Sequence, residues 1–335
     1  SMFDALIQEP GLEYPKLFKD ALTQAAIPMV ALGRASSLDI YKSIETEHLP
    51  QLQSFAETMA EKDLLLEPSY LCPKYGLQGR LDLLYREKKK FSIVELKSGK
   101  AHPTDVWPSQ TYQVVAYNMI IRNAYGTEAL GSSSIFYSAA AQSLRNVANM
   151  PLQEQNLINC RNRIVGIMHL LCEEPAKFFN WLSRYSAESY SSFMTERLER
   201  FKRLYLAMRD YEKEWFLEQI KRLSREIWQV KLGSTGASEE HYYGHNSLWQ
   251  LSTLQKSGKI ITSLKHLGQN GRILEFALPG EIQVTDFRNG DIVILYDQSR
   301  AVDRQEIIRG LITNLQDDKL EIRIRAGTRN NPRFK

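Results

Sequence analysis

Three side chains with chemical potential stand close together in the stretch Gly79-Arg-Leu-Asp-Leu-Leu-Tyr-Arg-Glu-Lys-Lys-Lys-Phe-Ser-Ile-Val-Glu-Leu-Lys97: Asp82, Glu95 and Lys97. Glu95 and Lys97 are two apart, so on a strand both leave one face while Leu96 turns to the other, into the core. The apolar runs 81–85 and 91–94 flank a charged turn over 86–90, a hairpin signature that sets Asp82 and Glu95 at similar heights. Two carboxylates and a lysine on an apolar sheet are costly unless something binds there. A hard divalent cation takes oxygen ligands; Asp82 and Glu95 supply two, and the Leu96 main-chain carbonyl a third. Water polarised by such a cation is a nucleophile for phosphodiester hydrolysis. Lys97 beside it can orient that water or offset charge developing on phosphorus. The alternative is plainer: Glu95 and Lys97 pair with each other on a solvated edge strand.

The elements that must position these groups follow from periodicity. Strands are expected near 66–71, 77–85 and 91–97, then a helix that opens at Pro108-Ser109, then a strand over 132–139. Gln113 and Tyr117 fall one i,i+4 step apart on that helix, on one face. Residues 15–62 read as mainly helical, as do 153–172 and 175–184, with Ile164, Ile167, Leu170 and Leu171 as an expected core stripe. From 191 to 230 there is neither Gly nor Pro, and apolar residues recur at helical spacing, which predicts one or two long amphipathic helices, a stalk. Trp215 and Trp228 are expected to be packing anchors. A flexible linker over 233–238 precedes short strands at 259–264, 272–277, 280–285, 290–296, 306–313 and 319–325, for which a small β-barrel is the natural solution.

The Asp82, Glu95, Leu96, Lys97 arrangement resembles the PD-(D/E)XK nuclease superfamily. Gly79-Arg80-Leu81-Asp82 followed by Glu95-Leu96-Lys97-Ser98-Gly99, with Gln113-Val-Val-Ala-Tyr117 beyond, is similar to its RecB-like branch. The longer phrase from Pro73 to Asp82 is similar to the nuclease domain of the eukaryotic replication nuclease–helicases that trim flaps. The three blocks lie in order across about 45 residues. The resemblance implies a restriction-endonuclease-like mixed central sheet flanked by helices. It implies Asp82 and Glu95, with the Leu96 carbonyl, as ligands of Mg²⁺ or Mn²⁺, and Lys97 as catalytic lysine. It also implies Gln113 and Tyr117 as the pair that buttresses the site and touches DNA, single-stranded or as a flap. The second functional reading is a catalytically weak or inactive nucleic-acid-binding module that supports a helicase motor.

The branch usually adds a ligand, often His, in a helix well upstream. Residues 31–64 hold Glu45, Glu47 and His48 without a clear match, and Pro50 predicts a surface helix end that leaves His48 solvent-exposed. Ser1-Met2 reads as a cloning remnant, so that helix is expected before the chain's start. The phrase Phe287-Arg-Asn-Gly-Asp-Ile-Val-Ile-Leu295 resembles the barrel of superfamily 1B helicases. No Gly-x-x-x-x-Gly-Lys-Ser/Thr occurs, so the expected motor would follow the chain as a partner. The expected order is a nuclease domain over 1–187, a helical stalk and linker over 188–254, and a barrel over 255–335.

Composition sets outer bounds. With 335 residues and a net charge of +4, the chain is mildly basic and long enough for two or three domains. No run of about 18 apolar residues occurs, so no membrane association and a cytoplasmic location, in a bacterial cell, are expected. Cys72, Cys160 and Cys172 are the three cysteines; they fall short of the four thiolates of an iron–sulfur cluster and are expected buried and reduced.

Overall fold

Leu83, Leu84, Ile93 and Val94 occupy paired positions on neighbouring strands, and their alternation gives one sheet two apolar faces. A computed structural model describes residues 31, 34–148, 150–186, 192–232, 248, 251–279, 285–316 and 318–324. The chain divides into two compact units, Ser1–Glu154 with Ser257–Lys335, and Gln155–Lys256.

In the first unit, helix α1 (Arg34–Ser43) runs through a π-helical turn (Ile44–His48) into α2 (Leu49–Met59). Strands β1 (Asp63–Leu66), β2 (Ser69–Cys72), β3 (Leu77–Arg80), β4 (Leu83–Glu87) and β5 (Lys90–Lys97) follow. Helix α3 (Pro108–Tyr125) then leads to β6 (Leu130–Tyr137) and β7 (Leu144–Asn146). The sheet order is β1-β4-β5-β6-β7. Only β5 and β6 are parallel; such a pair needs a crossover, and α3 supplies it. Leu49, Phe55, Ala56 and Met59 of α2 cover one face, over Leu66, Leu83, Val94 and Phe136. Tyr117, Ile120, Ile121 and Ala124 of α3 cover the other, over Leu81, Leu84 and Ile93. Each such buried side chain contributes roughly 1.5–3 kcal/mol.

Two strands expected as continuous are broken. Glu67-Pro68 splits the 66–71 run, and Leu81-Asp82 splits 77–85, so that β3 pairs with β2 in a separate ribbon while β4 joins the main sheet. The hairpin turn is shorter than the charge pattern predicts. Opposite charges at Glu87 and Lys90 pair across the strands, leaving Lys88-Lys89 as the turn, with Lys88 at φ +57°.

The C-terminal part of this unit is a separate antiparallel sheet. It contains β8 (Lys265–Asn270), β9 (Ile273–Ala277), β10 (Ile292–Leu295), β11 (Ile308–Leu315) and β12 (Lys319–Ile324), ordered β10-β11-β12-β9-β8. Its core is Leu274, Phe276, Ile312, Leu320, Ile322 and Ile324. Residues 259–264, expected as a strand, are irregular; Ile261 and Leu264 still pack on this core. Among the described residues no ladder joins β8 to β10, and residues 280–284 of the strand expected over 280–285 lie outside them. So do the linker over 233–238, residues 325–335 and nearly all the helical text before residue 34. The segment leading into β11 is tied to the β2–β3 ribbon and to α3: Ile307 N donates to Ser69 O at 2.8 Å, Leu71 packs with Val302 and Ile307, and the Asn123 amide donates to Asp303 O at 3.1 Å. The fold is therefore α/β, a mixed five-stranded sheet flanked by helices plus a separate antiparallel sheet.

The second unit is helical: α4 (Pro151–Glu173, whose first turn belongs to the first unit), α5 (Pro175–Arg184), α6 (Ser192–Ala207), α7 (Asp210–Leu232) and the short α8 (Leu251–Lys256). The long amphipathic text breaks at Met208-Arg209 without Gly or Pro. Glu212 explains the break: its carboxylate accepts from Arg209 N at 2.8 Å and pairs with the Arg209 guanidinium at 2.7 Å, half of a capping box that starts α7. Phe179 of α5 then packs against Phe201 and Tyr205 of α6 and Phe216 of α7. Three expectations fail here. Ile164 and Ile167 are exposed rather than core. Trp215 is exposed, whereas Trp228 does pack, edge-on to His169. Cys160 is exposed, while Cys72 and Cys172 are buried free thiols. In each case helical spacing marks a face without saying whether anything covers it. Among the described residues no helix is long and apolar enough to cross a membrane.

Candidate functional site

The break before β4 is what builds the site. Because β4 starts at Leu83, β5 has no strand partner on that side at Leu96. The Asp82 carboxylate takes that place, accepting Leu96 N at 2.8 Å. Glu95 and Lys97 leave the α3 face of β5, and Leu96 packs with the core on the α2 face, as the alternation predicts.

On the α3 face a directional hydrogen-bond chain closes. Lys97 Nζ donates to Glu95 Oε1 at 2.7 Å and to Gln113 Oε1 at 2.9 Å. Gln113 Nε2 donates to Glu95 Oε1 at 2.6 Å and to Tyr117 OH at 2.9 Å. Tyr117 OH donates to Arg80 O at 2.9 Å. The lysine fixes the amide's orientation, since only Oε1 can accept from it. Both amide hydrogens are used, and Lys97 keeps one of its three for another acceptor. The helix can sit this close because of Gly79. A Cβ there would stand 2.8 Å from Ile120 Cδ1 and 3.1 Å from the Tyr117 ring.

Glu95 is 2 % exposed. Burial, and then the charge of Asp82, push its carboxyl up to about 7 against the opposing pull of Lys97. Tyr117 is pushed up to about 12, first by burial and then by the charges of Glu95 and Asp82, so it stays a neutral phenol that donates to Arg80.

On the α2 face lies a cavity of about 780 Å³, lined by His48, Asp82, Leu96, Lys97, Ser98 and Ser138 among others. His48 is not the exposed residue the sequence predicts. Pro50 falls in the first turn of α2, where its missing N–H costs nothing, so it marks a helix start instead of an end. The π-helical turn ends on His48, whose Nδ1 lies 2.7 Å from Ser138 Oγ. Ser138 Oγ donates to Lys97 O at 3.3 Å. Where that bond is made, Nδ1 donates to the serine, and in the neutral ring Nε2 then keeps a lone pair. Reading the proline as a start signal would have found this histidine.

The donor set fits a hard cation. Two carboxyls repel each other, and Glu95 Oε2 is buried with no hydrogen-bond partner among the described residues. Those residues hold no preassembled group of three His, Cys, Asp or Glu side chains. A scan against protein-family models and a search of curated proteins return no match.

Proposed function

We propose that this chain is a Mg²⁺- or Mn²⁺-dependent nuclease of the PD-(D/E)XK type, acting on single-stranded DNA ends or flaps. The observation that carries this is Glu95: a carboxyl buried inside a sheet, pressed against Asp82, with one oxygen left unpartnered. A buried, incompletely paired acid of this kind is expensive, and perturbed acids cluster at functional sites. Asp82, Glu95 and the Leu96 carbonyl would hold the metal, with the free Nε2 of His48 as a further donor from the cavity. A bound divalent cation supplies an activated water and charge neutralisation for phosphodiester hydrolysis.

The chain's own residues do the rest. Lys97 offers its remaining N–H to a phosphate oxygen or to the attacking water. Gln113 holds both Lys97 and Glu95 in place, and Tyr117 anchors Gln113 to the β3 backbone through Arg80 O. Ser138 fixes the His48 ring and is itself tied to the Lys97 carbonyl. The antiparallel sheet, bound to β2 and α3, would brace the domain against a following helicase motor.

A second reading has an observation behind it. Lys97, Glu95 and Gln113 already satisfy one another, which a purely structural network in a nucleic-acid-binding module would also do. Incubating the protein with a 5′-labelled single strand or 5′-flap in Mn²⁺ separates the two. Cleavage that EDTA stops and Asp82→Asn abolishes supports the nuclease. Binding with no cleavage by the parent protein supports the module.

A further inference from the structure

The exposed end of α5 carries a second set of groups that the hydrolytic site does not use. Lys177, Asn180, Trp181, Arg184, Tyr185 and Ser186 line a cleft of about 570 Å³ within the helical unit. Trp181 is 54 % exposed, an unusual position for the largest side chain. Its ring is flanked by two tilted neighbours, Phe178 at 5.8 Å and Tyr185 at 5.0 Å. Those contacts fix the indole plane while leaving area open for stacking.

The polar groups around it are donors. Asn180 Oδ1 accepts from Tyr205 OH at 3.2 Å, so the amide is held with its NH₂ group left to face outward. Arg184 has no ion-pair partner among the described residues. Lys177 pairs with Glu174 at 2.6 Å, an exposed pair of little worth that still leaves ammonium hydrogens free. Among the described residues no carboxylate lines the cleft.

A flat π-face, an amide donor, the unpaired Arg184 and a lysine held only by the exposed Glu174 match one ligand chemistry: an unstacked nucleobase joined to a phosphate. A duplex does not offer this, because its bases are stacked inside. We propose that the α5 cleft binds a nucleotide unit of single-stranded nucleic acid, with a base on Trp181 and a flanking phosphate at Arg184. A free nucleotide carries the same two groups; the strand is favoured because Lys177 and Arg184 give two phosphate contacts along one helix face.

The test is fluorescence anisotropy with labelled oligo(dT), using the whole chain in EDTA so that no cleavage intervenes. Trp181→Ala should weaken binding roughly tenfold or more, the scale of losing one stacked base. Trp181→Phe should recover part of it. Arg184→Ala should make the slope of log affinity against log salt shallower by about 0.7, the value for one phosphate contact on a single strand. Thermal unfolding of these variants should match the parent, since the side chains are exposed. Parent-like binding by both alanine variants overturns the proposal. So does an equal effect of Trp181→Ala on duplex binding, or displacement of oligo(dT) by dTMP at matching concentrations, which would assign the cleft to free nucleotides. Binding is read in EDTA and cleavage in Mn²⁺, so failure of the cleft and failure of the hydrolytic reading, on which the choice of single-stranded DNA rests, are separately visible.

Discussion

The Glu95 cluster and the α5 cleft both gather charge and aromatic rings, yet they are built on opposite terms. Around Glu95 most donors and acceptors are matched inside the protein, Glu95 Oε2 and one N–H of Lys97 being left over, and burial makes a mismatch costly. Around Trp181 the groups are exposed, Arg184 has no ion-pair partner among the described residues, and water can satisfy what the protein does not. The buried cluster is therefore constrained by offsets: two residues along β5, four along α3, and a glycine under the helix. The exposed cleft is constrained only by which side chains happen to share one helix end.

That contrast ranks the effects of substitution. The largest should come from Lys97→Ala, which removes the charge that the proposed nuclease would hold at its reacting phosphate. Cleavage of a single strand in Mn²⁺ should fall roughly 10²-fold or more while the fold persists, as read by circular dichroism. A parent-like rate would remove Lys97 from the chemistry and reduce the cluster to a structural network.

Gly79→Ala should come next. Its methyl would press on Ile120 and Tyr117, and overpacking of this kind costs about 1–3 kcal/mol. Denaturant unfolding should show it, with slower cleavage because the Gln113–Tyr117 pair is displaced. The equivalent change at Gly99, where an added Cβ meets nothing within 4 Å, should be nearly silent for packing. Equal effects at both positions would mean that the closeness of α3 to β3 does not matter.

Tyr117→Phe should be milder, losing one hydrogen-bonded hydroxyl worth about 0.5–1.5 kcal/mol. Because the hydroxyl only steadies Gln113, the rate should drop far less than for Lys97→Ala.

The smallest effect is a pH slope. Glu95 titrates near 7 in the folded protein and near 4.5 when free, so the folded state holds the extra proton between those values. The stability this contributes is full below about pH 4.5 and is lost as pH rises through about 7. Unfolding of the metal-free protein at a series of pH values should show that decline, and Glu95→Gln should flatten it. An unchanged slope in Glu95→Gln would place the titration elsewhere.

Much of the buried site was legible in the sequence because period-two and i,i+4 spacings are themselves the geometry. Glu95, Lys97, Gln113 and Tyr117 meet on one face for that reason, and Leu96 turns to the other. Asp82 was legible as a partner but not as a break in the strand; local backbone pairing to Glu67 and Pro68 decides that. His48 was misplaced because a proline both ends and begins helices, and the π-helical turn that carries it leaves no composition signal. The helical unit was legible as amphipathic text only. Glu212 starting a new helix at Arg209, and the exposure of Ile164, Ile167, Cys160 and Trp215, depend on what packs where, which spacing does not encode.

The account stands most directly on a cation shared by Asp82 and Glu95. Crystals grown or soaked in Mn²⁺ and measured for anomalous scattering test it. The expected result is one strong peak in contact with both carboxyls, lost in Asp82→Asn, with Lys97 withdrawn from Glu95 Oε1 to make room. A site that stays free of anomalous density at millimolar Mn²⁺, with the Lys97–Glu95–Gln113 network intact, would contradict it.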